Sequence, residues 1–354
     1  MALPAVKSLE ECSEWAKVVE PFIPQLLELP GKIISSPQSL PQIYLETNPL
    51  VSGFAFSLLI AVLTLGVSEY HRNFSQIDRL WSLLPNWYVL HTAAWAYLNG
   101  EPWQRVALAG AATTLWSSRL TFNYWRKGGY ERGSEDYRWE IVRAYVPAWV
   151  FFLFNVTFIS FIQSILLFAF SAAPAYSLLL ASRIEPDLAA SDYSFFTILA
   201  GLVLSEYISD GQQWDYQTAK ATYKKGNSTA ASVPRGWAQA DLERGFVTHG
   251  LWAYSRHPNF FAEQMVWFVL YQWSCYATKV LYSYTFAGSA FLVLLFQGST
   301  WLTELITAGK YHEYAEYQSQ VGMFMPKSLF PYKKPPPKVI RTSELAKRQS
   351  KKDK

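Results

Sequence analysis

Seven apolar stretches, each near the length of a bilayer-spanning helix, constrain this chain more than any other feature. They run near residues 50–68, 83–99, 104–120, 147–169, 194–209, 261–277 and 282–300. A spanning helix needs about 20 mostly apolar residues. The first and fourth stretches meet that need most fully, while the second and fifth are short enough to tilt, pair or re-enter. Residues 172–182 are apolar too, but they contain Pro174 and fall short of spanning length. They are expected to form an interfacial or luminal loop. The expected fold class is an all-α polytopic transmembrane helix bundle of about seven spans.

Loop charges orient such a bundle. With the C-terminus in the cytosol, segments 69–82, 121–145, 210–259 and 301–354 are cytosolic and hold 24 of the 31 Lys and Arg. The opposite side holds 5, and Arg105 and Arg119 fall within the third stretch. This is the positive-inside asymmetry. It places the sequons at Asn73 and Asn227 in the cytosol and that at Asn155 in a span, so none is expected to carry glycan.

Three regions are expected: an irregular or amphipathic lead-in over 1–49, a transmembrane domain over 50–330, and a basic, disordered cytosolic tail over 331–354. No cleavable signal peptide is expected at the start. The tail ends Lys351-Lys352-Asp353-Lys354, which matches a dilysine signal for the endoplasmic reticulum. The plain alternative is a generic basic tail near anionic lipid.

Composition excludes several classes. The 15 Trp and 22 Tyr suit interfacial belts. A net charge of +4 does not suggest nucleic-acid binding. Cys12 and Cys275 offer neither a disulfide framework nor metal-ligand spacing, and no metal site is expected. The sequence has no GxGxxG, Walker loop, HExxH, paired CxxC or GxSxG, so soluble dinucleotide folds, P-loops and zinc hydrolases have no support.

Residues 251–263, Leu-Trp-Ala-Tyr-Ser-Arg-His-Pro-Asn-Phe-Phe-Ala-Glu, lead from a polar loop into a long apolar helix. Pro258 suits the first helical position. The backbone donors after it are expected to be unsatisfied and to point outward, with Arg256 and His257 beside them. That is a ready anion site. Asn259 and Glu263 are four apart and share a helical face. The plain alternative makes Arg256 and His257 part of a cytosolic basic belt.

Four further constellations can carry chemistry. Arg119 to Arg143 interleaves arginines, suited to phosphate, with Glu135 and Asp136. Arg119 stands out, because an intramembrane charge is a functional candidate by default. Asp210, Gln213 and Gln217 fall on one helical face. Glu304, Tyr311, Tyr314, Tyr317 and Gln318 form a stripe in which a phenol can donate a proton. Glu69, Tyr70, His71, Asp78 and Arg79 follow the first span. The bland readings are, in turn, a neutralised loop, a polar cap, an interfacial helix and a charged turn.

Together these stretches resemble the membrane family related to steroid 5α-reductases, in the branch known only as a domain of unknown function. The carrying residues are Asp78-Arg79-Leu80-Trp81, Arg119, Glu135 to Trp139, Asp210 with Gln213, Gly250 to Phe260, Glu263, and Glu304 with Tyr314 and Tyr317. The resemblance spans about residues 50 to 330. Ala262 departs from it, standing where the family often has Gly. The resemblance implies an all-helical membrane enzyme that uses NADPH to reduce a double bond conjugated to a carbonyl in a hydrophobic small molecule. The cofactor residues it implies are Arg119, Asp136, Arg138, Asp210, Arg256, His257, Asn259 and Glu263. Gln213, Tyr254 and Glu304 are grouped with them, and Glu69, Tyr124 and Tyr314 are the candidate catalytic groups. Isoprenylcysteine carboxyl methyltransferases share the Arg-His-Pro stretch, so S-adenosylmethionine is the competing cofactor. A non-catalytic membrane protein that kept the fold is the third reading. Arg256→Ala and Asn259→Ala are both expected to weaken cofactor binding in a bundle that stays folded.

Overall fold

A computed structural model describes residues 2–333 of the chain. The tail beyond Lys333, with its dilysine signal, lies outside the described residues. Each of the seven apolar stretches is helical. The helices are α1 (Pro49–His71), α2 (Leu84–Leu98), α3 (Gln104–Arg126), α4 (Tyr137–Tyr145), α5 (Ala148–Ile184), α6 (Ala190–Lys225), α7 (Pro258–Ala277), α8 (Phe286–Lys310) and α9 (Tyr314–Gln320). Three of these, α1, α5 and α8, are long and apolar enough to cross a membrane. Their exposed side chains include Leu59, Val62 and Leu63 on α1 and Phe291, Leu294 and Trp301 on α8.

The post at the centre is α5, which packs against α1, α2, α7 and α8. It also corrects one sequence expectation. Residues 172–182 are not a loop; they form the most deeply buried part of this helix, and all of them are buried. Pro174 lacks only one N–H, and a helix enclosed by neighbours tolerates that loss. Small residues (Ala172, Ala173, Ala175, Ser177 and Ala181) let the surrounding helices approach closely. The same logic explains Gly288 of α8. A Cβ there would lie 2.5 Å from the α5 backbone at Ala169 and Phe170.

The lead-in packs across one end of the bundle. It forms short helices such as Ile23–Ser35 and Leu40–Glu46. Cys12 and Val18 enter the main core. Arg183 donates to the Pro4 carbonyl at 2.8 Å, and Ser13 donates to Thr278 at 2.8 Å. Asn48 caps α1 by accepting from Leu50 N–H, and it donates to Tyr176 at 2.7 Å. Near the same end, buried Arg105 grips Asp192 at 3.0 and 3.1 Å. Its remaining donors go to Ser182 and to the Glu185 and Asp187 carbonyls. This arginine is fully satisfied. The other buried arginine of this helix, Arg119 at its far end, is not.

Candidate functional site

Arg119 sits on the inner face of α3, where α6 and α7 meet it, and is 8% exposed. Three carboxylates surround it: Glu206 at 2.5 Å, Glu263 at 3.0 Å and Asp210 at 3.1 Å. The helical spacing that puts Asn259 and Glu263 on one face delivers both to this cluster. Asn259 donates to Asp210 at 3.1 Å. Trp116 and Trp267 donate their indole N–H groups to Glu263 at 2.9 and 3.0 Å. Glu263 and Asp210 are therefore well supported. Glu206 is not. It is fully buried, and among the described residues neither oxygen accepts a hydrogen bond, although the Arg119 charge is adjacent. Arg119 Nε and the Gln213 amide oxygen are also buried without partners. Glu206, Asp210 and Gln213 follow a four-then-three spacing on α6, so these atoms lie along one helical face.

Above the cluster, α3 ends in cations. Arg126 donates to the Asp210 carbonyl at 3.0 Å and to Asn123 at 2.9 Å, and its guanidinium lies over Trp214. Desolvation lowers the Lys127 ammonium below the usual lysine value, and Asp210 works against that shift. Neither cation forms an ion pair among the described residues.

Arg256 and His257 were expected to flank an open helix N-terminus. The structure turns both toward Glu304 of α8. Arg256 holds it with a bidentate fork, at 2.6 and 2.8 Å. His257 lies 2.9 Å from the same carboxylate, and Tyr314 and Gln318 donate to it at 3.2 and 3.0 Å. The remaining Arg256 donors reach the Gln318 and Val321 carbonyls. The backbone is pinned as well. Arg256 N–H bonds to Gly322 and His257 N–H to Met323, while Tyr332 N–H bonds to Ala253. Residues 321–332 thus form a strap across the 252–257 loop. The α7 entry is closed from within too, because Phe260 N–H donates to the Asn259 side chain and Phe261 N–H to the His257 carbonyl. The expected outward-facing anion cradle is therefore largely filled. Tyr254 faces outward instead, beside a pocket of about 400 Å³ under the strap.

The third patch lies apart. Asp136 caps α4 and pairs with Arg138 at 2.7 and 2.9 Å. Its N–H donates to Ser75, Glu135 accepts from Phe74 N–H, and Trp139 donates to Asp78. These bonds tie the 134–139 loop to the segment after α1, and none of them reaches Arg119. Tyr124 packs edge-on against Tyr130 near this patch. Glu69 pairs with Arg72 at 2.6 Å and accepts from Asn155 at 2.8 Å. Asn155 opens a π-helical turn in α5.

Burial alone would raise Asp136, but the Arg138 guanidinium and N–H hold it below the usual aspartate value. A lowered folded value means that this carboxylate contributes stability above the unfolded value. The contribution is lost as pH falls through the folded value. Asp136→Asn is thus expected to lower Tm at neutral pH, with the gap to wild type closing below about pH 4. A gap that stays constant with pH would show that the pair contributes no linkage. Asp78 shifts the opposite way, raised by burial against the Trp139 bond.

The structure therefore brings Arg119, Asp210, Asn259 and Glu263 into one cluster with Gln213 nearby. It gathers Arg256, His257, Glu304 and Tyr314 into a second. It leaves Asp136 with Arg138, Tyr124 and Glu69 outside both. The sequence reading missed Glu206. The signal was present, a lone carboxylate inside the 194–209 stretch, and the rule that singled out Arg119 applies to it equally.

Over 326 residues, 92% of this chain and 93% of the other, the protein is 36% identical to an uncharacterized protein of Schizosaccharomyces pombe. No solved structure matches. Residues 64–321 match the family described as a protein of unknown function, DUF1295, and that range holds both clusters. The chain belongs to the DUF1295 family.

Proposed function

We propose that the protein is a membrane oxidoreductase that transfers a hydride from NADPH to a carbon–carbon double bond of an unsaturated lipid, steroid or terpenoid. One observation carries this reading. Arg119, Asp210, Asn259 and Glu263 converge from three helices beneath a rim of two cations that pair with no carboxylate among the described residues. The resemblance to steroid 5α-reductases supports it, and membership of DUF1295 is compatible with it.

The donor set suits this cofactor. Arg126 and Lys127 are placed to meet phosphate oxygens. The unpartnered donor Arg119 Nε and acceptor Gln213 Oε1 are what a carboxamide requires. When bound, NADPH supplies the hydride and leaves a cationic nicotinamide ring. Three carboxylates against one guanidinium give the cluster an excess of negative charge, aimed where that positive charge develops. We place seven spans in the bundle, with the C-terminus and both clusters on the cytosolic side of the endoplasmic reticulum membrane. A hydrophobic substrate would then reach the cluster from the bilayer.

The same excess of carboxylate favours a second reading, methyl transfer from S-adenosylmethionine to a lipid or prenyl-cysteine, because a sulfonium is also cationic. Thermal unfolding of the detergent-solubilised protein separates the two, since a ligand of the native state raises apparent stability by mass action. NADPH at about 100 times its Kd is expected to add about 2.7 kcal/mol, with a smaller effect from NADH. A shift with S-adenosylmethionine alone would overturn the reductase reading. No shift with either would favour a non-catalytic protein.

A further inference from the structure

A second group of cations lies where α8 leaves the bundle, apart from the Arg119 cluster and beside the Glu304 cluster through Tyr311 and Tyr314. Lys220 and Lys224 lie one turn apart on α6, and Lys310 ends α8. All three converge on Tyr311. The Lys220 ammonium is 3.1 Å from the phenol oxygen and 5.2 Å from the ring centre, and Lys310 is 5.6 Å from the ring centre. Lys220, Lys224 and Tyr311, with Glu243 and Gly245, border a pocket of about 230 Å³, and Lys310 reaches it only through the Tyr311 ring. Gly245 is required there. Its φ of +88° lies in the left-handed region, and a Cβ would lie 2.1 Å from the Tyr311 ring. Its carbonyl accepts from Lys220 at 2.7 Å.

The charges do not balance. Glu243 already accepts from Gln239 at 2.7 Å and Tyr223 at 2.9 Å. Lys224 and Lys310 form no ion pair among the described residues. Burial would raise the Tyr311 phenol, yet Lys220, Lys310 and Lys224 together bring it below the usual tyrosine value. Three ammonium groups gathered on one phenol repel one another unless an anion lies between them.

We propose that this pocket binds a phosphate monoester, whose two charges match the two lysines that line it, Lys220 and Lys224, with Lys310 adding positive charge beside Tyr311. The group can arrive on a lipid headgroup or as soluble phosphate. The position favours lipid, because α8 is an apolar spanning helix with Trp301 and Leu305 exposed, and it delivers Lys310 to the Tyr311 ring that lines the pocket. Basic pockets at the cytosolic end of spanning helices take anionic headgroups in this way.

The test is binding of the full-length protein in detergent to dioctanoyl phosphatidic acid, dioctanoyl phosphatidylserine and inorganic phosphate, read by native mass spectrometry. Phosphatidic acid is expected to bind about tenfold tighter than phosphatidylserine, whose phosphate is a diester. The double variant Lys224→Ala/Lys310→Ala is expected to lose about tenfold or more in that affinity while keeping its Tm. Tyr311→Phe is expected to bind more weakly by a smaller factor. Inorganic phosphate that binds alone and displaces the lipid would support the monoester site and assign it a soluble source. Equal affinity for the two lipids, or undiminished binding in the double variant, would overturn the proposal. The proposal does not depend on NADPH. Any NADPH-induced stabilisation should survive in the double variant, so either reading can fail without the other.

Discussion

Replacing Arg119 by Met is expected to destabilise the bundle by about 3–5 kcal/mol, among the largest effects of any single substitution in the described fold. The guanidinium stands against three buried carboxylates, and its removal leaves them facing one another in a low-dielectric interior. The loss should be smaller in a Glu206→Gln background. Among the described residues neither Glu206 oxygen accepts a hydrogen bond, and neutralising it removes the least supported charge. Glu206→Gln alone should leave stability unchanged or raise it. Unfolding of the two single variants and the double variant in detergent closes the cycle. Additive effects would mean that Arg119 and Glu206 do not interact. An Arg119→Met protein as stable as wild type would show that the cluster is not the electrostatic centre of the bundle.

Arg256→Ala should cost a similar amount, about 3–5 kcal/mol, for a different reason. Its fork holds a buried carboxylate, and its other donors secure the carbonyls at which the strap begins. Arg256→Lys should recover little, because a point ammonium cannot reproduce two parallel bonds and the carbonyl contacts together. Asn259→Ala contrasts with it. This residue is half-buried, donates to Asp210 and accepts from Phe260 N–H, so its loss should cost about 2 kcal/mol, less than Arg256→Ala, while weakening the response to NADPH. The sequence expectation paired these two substitutions as binding variants in an intact bundle. The Glu304 contact separates them: Arg256 is tied into the fold, while the ligand role proposed for Asn259 keeps its place. Equal Tm values for Arg256→Ala and wild type would restore the original pairing.

What could be read from the chain follows the range of the forces involved. Apolar runs and helix periodicity are local, so residues 50–68, 147–169 and 282–300 announce their helices directly. Pro174 misled because its effect depends on enclosure, which is a property of the neighbours of α5 rather than of residues 172–182. The convergence of Asn259 and Glu263 follows from a four-residue spacing. Their meeting with Arg119 depends on how α3, α6 and α7 pack. Arg256 was harder still. Its partner lies 48 positions away on another helix, and a cation beside a helix N-terminus looks the same in sequence whether it serves an anion or a carboxylate of its own chain. Glu206 was legible and went unread.

The strap places a delay in the making of this protein. Arg256 and Val321, which it joins, are 65 positions apart. At about 5–20 residues per second of synthesis, the loop entering α7 waits about 3–13 seconds for the segment that holds it. Glu304 follows Arg256 by 48 positions, so for most of that interval the carboxylate that Arg256 grips is also unmade, while α7 is already formed or forming. A nascent chain halted before Glu304 would therefore carry a basic, unclasped loop, open to whatever surveys unfinished membrane proteins.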